Sequence, residues 1–456
     1  MADQDVLDRF VEKRPLAVMT RLVLGEVFQE HELSELFKAN RQRGYRKVLR
    51  FEDLCTVMAD VVLEFTPSPT KAYKDAKGKL GVSKTAFFNK LNHTDPRLSA
   101  ALVRHGYEKT RQMLETMGVP RWSYLPNYET LIVDGNSVAK CERRIKELRN
   151  TWQRALPSKS VVLMDADRQL MKDVYPIEDG QGQERTVLDQ IAKSIRAKQL
   201  ILADSAYCTI DFMAKIAAAS GCFIIRQHGS LKGELLGKRR SCGKSETGQI
   251  YEQTILVGGA GGNRYRRVTI ELFEPTVDGD TVIHLLTNLP ESDADAEAVA
   301  NVYRMRWEIE NKFYVATVAH RCEVDSMGYP RASIFVFALA MVALNCRQVL
   351  FGALFMALNA EVEADASQVS VSNEIQRGSD GLAVALDEDQ WEALIPNTFT
   401  GRMDMLVRVA SNYDRDKHRK SVRGPKRPQP PKTKYSNGHH LSVKKILDKR
   451  KQGNTC

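Results

Sequence analysis

Tyr303, Arg306 and Glu310 stand at i, i+3 and i+7 within Asn301 to Arg321, NVYRMRWEIENKFYVATVAHR. This run holds strong helix formers and neither Gly nor Pro. At about 100° per residue the three side chains share one helical face. A carboxylate one turn beyond an Arg, itself one turn beyond a Tyr, suggests a metal ligand beside a phosphate clamp. A solvated helix with an i,i+4 Arg–Glu pair has the same spacing. Two more acids alter the balance. Asp134 follows the apolar run Thr130-Leu131-Ile132-Val133, and Asp204 follows Gln199 to Ala203. Both lie just past the carboxyl end of a short buried-strand signal, where open α/β sheets place ligands. Either acid alone also reads as a turn-former after a strand.

Three carboxylates from two strand ends and one helix can hold two divalent cations. Mg²⁺ prefers oxygen ligands and needs only one or two carboxylates besides phosphate oxygens and water. Two ions ~4 Å apart clamp the attacking and leaving oxygens of an in-line displacement at phosphorus. The planar fork of Arg306 suits phosphate, and the Tyr303 hydroxyl can donate to a neighbouring one. No His is required, so His228 and His320 are given structural or surface roles.

The elements that must position these residues follow from the pattern. Residues 1 to about 125 read as helical, with Val6, Leu7, Phe10 and Val11 opening a 3.6-residue period and Phe51 to Phe65 forming a second apolar helix. Within this block, a polar helix from Ala72 to Leu80, a Gly81-Val82 turn and a helix from Lys84 to Leu91 capped by Ser83 have helix-turn-helix syntax. Lys84, Asn89 and Lys90 would face outward as DNA contacts; a plain helical hairpin is the alternative. From Tyr128 strands alternate with helices, which indicates an α/β domain. The strand-like runs are 130–133, 160–164, 169–174, 199–203 and 222–226; the helical ones are 139–153, 186–197 and 210–219. Residues 229–290 are Gly-rich and β-prone, an antiparallel insertion with strands at 249–257, 264–273 and 281–286. A basic loop there carries Lys232, Lys238, Arg239, Arg240 and Lys244, and Arg264, Arg266 and Arg267 form a second cluster; Arg239 and Arg240 are candidate DNA contacts, a solubilised loop surface being the alternative. Ser333 to Leu358 is an apolar helix, Glu361 to Gly381 a mobile linker by its polarity, Asp387 to Val409 helical, and the tail poorly ordered except for a short helix at 442–451. The organisation expected is a helical DNA-binding region at 1–125, a catalytic core at 126–330 with its β insertion at 229–290, a helical region at 331–412 and a basic tail at 413–456.

Composition bounds the partners. The 456 residues carry a net charge of +10. From Arg415 onward there are 14 Lys or Arg and 2 Asp, so this segment holds +12 and the remainder −2. A cationic arm on a near-neutral body favours polyphosphate partners. Four prolines in the arm argue against a long membrane-binding helix. The eight cysteines are scattered, none in C-x-x-C spacing, which reads as reduced thiols of a cytoplasmic protein. No signal peptide is seen at the N-terminus. The longest apolar run, Ile334 to Leu344, is too short to span a bilayer. No P-loop is present, so nucleoside triphosphate binding is not suggested.

Three blocks together carry a family resemblance: LIVDGNS, LILADSAYCTIDFMAKIAAASGCFIIRQ and TNLPESDADAEAVANVYRMRWEIENKFY. They resemble the acid-bearing blocks of DDE transposases of bacterial insertion sequences, nearest the IS-four family with its Tn-five type. Tyr303, Arg306 and Glu310 match that family's Tyr-x2-Arg-x3-Glu-x6-Lys hallmark as far as the Glu. The resemblance spans about residues 128 to 345. It implies an RNase H-like α/β core with an antiparallel β insertion, flanked by helical regions. It also implies Mg²⁺-dependent nicking of transposon ends and strand transfer into target DNA. Asp134, Asp204 and Glu310 would bind two Mg²⁺ ions, with Mn²⁺ as a substitute. The partner would be double-stranded DNA, engaged as a homodimer in a nucleoid-associated complex, with Tyr303 and Arg306 on phosphates. Two departures stand out. The Lys position holds Thr317, for which Arg321 one turn later is the substitute, and residues 229–290 contain no Trp to stack a flipped base, leaving Tyr251, Tyr265 or Phe273. These departures motivate two rival readings: a DNA-binding relative that has lost catalysis, and a nuclease without strand transfer.

Overall fold

A computed structural model describes residues 2–40, 48–137, 155–156, 158–276, 279–320, 324, 327–421 and 441–453. Seven helices come first: α1 Ala2–Lys13, α2 Pro15–Val27, α3 Glu30–Asn40, α4 Phe51–Val62, α5 Pro69–Leu80, α6 Lys84–Asn92 and α7 Pro96–Thr116. The α/β segment follows with β1 Glu129–Ser137, β2 Ala155–Leu156, β3 Lys159–Asp165, β4 Leu170–Ile177, α8 Leu188–Ser194, β5 Gln199–Ala203, α9 Ile210–Ala218 and β6 Cys222–Arg226. Next come β7 Gly233–Lys244, β8 Gly248–Val257, β9 Asn263–Leu272, β10 Val282–Thr287, α10 Ala296–Arg304 and α11 Trp307–Ala319. The last elements are α12 Pro330–Leu358, α13 Gln368–Ala385, α14 Glu388–Leu394, α15 Phe399–Ala410, β11 Leu441–Ser442 and α16 Val443–Gly453.

Among the described residues one mixed sheet of nine strands runs β4-β3-β1-β5-β6-β10-β9-β8-β7. β3 is antiparallel to β1 and to β4, while β5 is parallel to both β1 and β6. The remaining neighbours pair antiparallel. Successive side chains of a strand point to opposite faces. Leu131 and Val133 accordingly join α8 and α9 in one core, with Ile201, Ala203, Phe223 and Ile225. Ile132, Leu200, Leu202 and Ile224 join the second, larger core with α2, α4, α7 and α12. α12 is long and apolar enough to cross a bilayer, yet 94% of its most apolar window is buried inside the protein. It packs against α2, α4, α7, α15 and β4. Asn345, within that helix, is fully buried and exchanges two hydrogen bonds with the Met171 backbone on β4, which satisfies both ends of its amide.

Several expectations need correction. The helix expected from 301 to 321 is interrupted between α10 and α11. Met305 and Arg306 donate from their backbone N–H to Val302 and Tyr303, three residues back, a tightened 3₁₀ turn. The linker expected at 361–381 contains most of α13. Its polar composition hides an apolar stripe, Val371, Ile375, Gly378 and Leu382, and Gly378 lets the helix press on α2, where a Cβ would lie 2.6 Å from Ala17. The basic loop is instead the edge strand β7, bent by two register shifts, with Gly237 and Gly243 at φ 71° and 95°. The helix at 186–197 shortens to α8, preceded by a 3₁₀ turn at Glu184–Val187. The helix expected at 139–153 lies outside the described residues. The five described cysteines, Cys55, Cys208, Cys222, Cys242 and Cys346, are free thiols.

Candidate active site

β1 and β5 run parallel with Val133 opposite Ala203, so Asp134 and Asp204 are the next residue on adjacent strands. By strand alternation Asp134 points to the same face as Ile132, the face on which α11 lies against β1. Asp204 continues in extended backbone (φ −76°, ψ 174°) and caps the following 3₁₀ turn, accepting from the Ser205 N–H at 2.6 Å. Ala203 is opposite Ile225 on β6, which puts Arg226 next in the same row. Arg226 pairs with Asp280 at 2.6 Å, and Asp204 and Tyr303 both favour its charged form. Sequence reasoning missed Arg226. The signal was available, since it ends the third strand of the row that carries both acids.

The 3₁₀ turn between α10 and α11 sets the third component. In 3₁₀ geometry i and i+3 eclipse. Tyr303 and Arg306 are thereby brought together, and the tyrosine is buried, its hydroxyl pushed up to about 12 chiefly by that burial. The α-helical spacing that follows sets Arg306 and Glu310 together. The Arg306 guanidinium donates to Asp134 Oδ2 at 3.3 Å and to Glu310 Oε1 at 3.0 Å. Arg306 is 8% exposed. Burial works against its charge, but Tyr303, Asp134, Asp204 and Glu310 outweigh that and hold its pKa up. Its Nε is buried without a partner among the described residues. The Asp134 carboxyl is pushed up to about 6, mainly by burial; Glu310 and Glu184 add to the shift, while Arg306 and the Gly135 N–H oppose it.

Two of the three sequence-derived acids, Asp134 and Glu310, thus pair with one guanidinium, which stands where a cation between them would stand, while Asp204 acts on its charge without a contact. Among the described residues no group of three or more His, Cys, Asp or Glu side chains is placed to hold a metal ion. The chemistry of the donor set fits a hard divalent cation nonetheless: its donors are carboxylate oxygens, and they already hold a positive group. Thr317, where the resemblance expects a Lys, is exposed and donates its hydroxyl to the Phe313 carbonyl at 3.0 Å. Arg321 lies outside the described residues. His320 is buried, its ring kept neutral by a pKa pushed down to about 3, and His228 bonds Ser230 at 2.6 Å.

The outlying candidates fall into two groups. α5 and α6 form the expected helix pair: Gly81 takes the left-handed conformation (φ 62°) and the Ser83 hydroxyl accepts from the Ala86 N–H at 3.2 Å. Lys84 and Asn89 are exposed, whereas Lys90 turns inward, donating to the Leu49 carbonyl with its ammonium 5.7 Å from the Phe37 ring centroid. Arg239 stacks 3.5 Å from the Tyr251 centroid and pairs with Glu271; Arg240 bridges Glu252 and Glu291. Arg266 is also held by Glu252, and Arg267 by Gln227. Arg239, Arg240 and Arg266 are therefore charge-paired within the sheet, whereas Arg267 bonds a neutral amide.

A search among curated proteins finds no match. Among solved structures, a piggyBac transposase synaptic complex with hairpin DNA, determined by cryo-electron microscopy, is similar at a TM-score of 0.41 and 9% identity, covering 86% of this chain and 85% of that one. Residues 125–345 match the family model described as the transposase DDE domain. That span contains Asp134, Asp204, Tyr303, Arg306 and Glu310, and its match supports a DDE transposase.

Proposed function

We propose that this chain cuts DNA at the ends of a mobile element and joins them to target DNA, with Asp134, Asp204 and Glu310 as its metal-binding acids. The observation that carries this reading is that Arg306 pairs with both Asp134 and Glu310, with Asp204 at the level of Asp134 on the neighbouring strand, inside the segment that matches the transposase domain. We read β4-β3-β1-β5-β6 as an RNase H-like core, β7 to β10 as its β insertion, and the Tyr303–Arg306–Glu310 spacing as that of the IS-four family. The division into 1–125, 126–330, 331–412 and 413–456 belongs to the same proposal. Two Mg²⁺ ions, replaceable by Mn²⁺, are the cofactors of this reading; bound there, they supply Lewis-acid polarisation and counter-charge to phosphoryl oxygens.

The chain's own residues do the rest. Asp134, Asp204 and Glu310 provide the negative wall that holds positive charge at the strand ends. Arg306 leaves the space between Asp134 and Glu310 and turns its fork to a DNA phosphate, which fixes the scissile backbone. Tyr303, packed on Arg306 by the 3₁₀ turn, sets the direction of that fork and donates to the neighbouring phosphate.

The test uses the purified chain, Mg²⁺ and a plasmid carrying the inverted repeats that flank its reading frame, together with a target plasmid. Expected are nicks at the repeat termini and a joined product. Cleavage without joining would identify a nuclease instead. A second reading, a relative that binds DNA without cutting, is favoured by Arg306 filling the acid cluster and by Thr317 at the Lys position. It is separated by salt-dependent DNA binding with neither cleavage nor any Mn²⁺ site.

A further inference from the structure

We propose that the cationic cleft along the outer edge of β4 receives the phosphate backbone of the element-end duplex, an assignment that rests on the DNA-cutting reading of Asp134, Asp204 and Glu310. β4 is an end strand of the nine-stranded sheet. α7 packs on it from one side, and on the other the Tyr175 hydroxyl bonds Ser194, the last residue of α8, at 2.9 Å. Between the two helices lies a cleft of about 500 Å³, lined by Arg97 and Arg104 of α7, Asp173 of β4, Lys193 of α8 and Arg196 just past it. Asp134 pairs with Val162, and Val162 with Val174, so the cleft begins level with Asp134 and two strands away. At ~4.8 Å per strand that is about 10 Å, the rise of about three base pairs at ~3.4 Å each.

Charge in the cleft is unbalanced. Arg97 pairs with Asp95 at 3.1 Å and Arg104 with Asp173 at 3.0 Å, yet their side chains are 55% and 48% exposed. Buried Asp173 engages only one nitrogen of the Arg104 fork, so it aims that guanidinium while leaving donors on its other nitrogens. Lys193 and Arg196 are exposed and have no carboxylate partner among the described residues; Arg196 donates to the Lys193 and Ile195 carbonyls at 3.0 and 3.1 Å. The strand edge itself does not suit an added peptide strand. Asn345 already takes both the N–H and the carbonyl of Met171, and Pro176 has no N–H to donate. The cleft therefore offers fixed positive charge rather than a row of backbone partners, and it fits a polyanion. In the proposed reaction the element end stays at the acids through cutting and joining, whereas target DNA is needed only for joining. A contact level with Asp134 accordingly belongs to the element end. A solvated helix face, with Lys193 in the last turn of α8 and Arg196 tying the carbonyls there, is the competing account.

The two accounts are separated by the salt dependence of binding to an element-end duplex, read by fluorescence anisotropy alongside the unfolding midpoint. Lys193→Gln and Arg196→Gln should each make the slope of log affinity against log salt shallower by about 0.9, and the double variant by about 1.8. Lys193→Gln should leave the midpoint unchanged, so it carries the test if loss of the Arg196 carbonyl bonds prevents folding of the other variant. Arg408→Gln removes an exposed cation of α15, far along the chain from the cleft, and should keep the parent slope. The effect should vanish on duplexes cut back, on one side of the cleavage point, to within about three base pairs of it. An effect that survives cutting back on either side overturns the placement beside the acids. Parent slopes in all the cleft variants, with the parent chain cutting DNA, overturn this proposal alone. A parent chain without salt-dependent affinity for DNA overturns the DNA-cutting reading with it. Two further outcomes also overturn the assignment: an unchanged end-duplex slope with more target plasmid needed for joining, which would give the cleft to target DNA, and an unchanged slope with altered self-association, which would give it to an acidic protein surface.

Discussion

At the scale of single residues, the proposed chemistry rests on the charge of three acids, two of them paired with Arg306. Asp134→Asn, Asp204→Asn and Glu310→Gln keep the shape of each side chain and remove its charge. Each should lower Mg²⁺-dependent end cleavage by at least about a thousandfold, equivalent to about 4 kcal/mol of lost transition-state stabilisation. DNA affinity in a gel-shift assay should stay near that of the parent chain. Cleavage by any one of them at the parent rate would remove that acid from the reaction. The placement of these acids was legible because local signals mark it: an Asp at the end of an apolar strand, twice, and an Arg–Glu pair at helical spacing. The 3₁₀ turn that sets Tyr303 beside Arg306 was not legible, because no Gly or Pro between 296 and 319 marks a break in the helix. Arg226 was missed for another reason: that it ends a strand is legible, but that this strand lies beside the one ending at Asp204 is set by strand pairing and not by local composition.

At the scale of elements, α5 and α6 show which part of a motif is fixed by its own sequence. Gly81 at φ 62° and the Ser83 cap specify the turn locally, and the structure has both. Which side chains point outward depends on what the pair packs against, and α6 packs on α12. Lys84→Ala and Asn89→Ala should therefore weaken DNA binding while leaving the melting temperature nearly unchanged. Lys90→Ala should do the reverse, because burial lowers the pKa of that ammonium and its carbonyl partner ties it to the fold. Equal loss of DNA affinity in all three would return Lys90 to the contact surface. A second element-level effect is pH-dependent. Asp60 on α4 has its carboxyl pushed up to about 7, first by burial and then by Asp380 on α13. The folded state thus binds this proton more tightly than the unfolded chain. Its contribution to stability is fully present below pH ~4 and is lost as pH rises through 7, up to about 4 kcal/mol by the size of the shift. Asp60→Asn should flatten the fall in denaturant midpoint between pH 5 and 8; an unchanged slope would assign the fall to other groups.

At the scale of the molecule, the helices before the sheet and those after it share one core centred on α12. That sharing was not visible in sequence, since hydrophobic periodicity shows that a face is buried and not what covers it. The charge asymmetry was visible, and it leads to a test of how the whole chain meets DNA. Ten Lys or Arg and one Asp follow Ser421, whereas many arginines of the sheet are already paired with acids, such as Arg239, Arg240 and Arg266. A paired arginine must give up its partner before it neutralises a phosphate, whereas the tail's ten cations to one acid leave a surplus that its own acid cannot neutralise. Each phosphate contact contributes about 0.9 to the slope of log affinity against log salt. A chain ending at Ser421 loses the pairing of β11 with β2 and the Lys445–Asp179 ion pair, but no residue of the large core. It should fold, cut DNA at low salt, and show a salt slope shallower by several units, with affinity falling most at low ionic strength. A truncated chain with the full slope would mean that the phosphates are met by the body, and the paired arginines of β7 and β9 would then have to release their acids on binding.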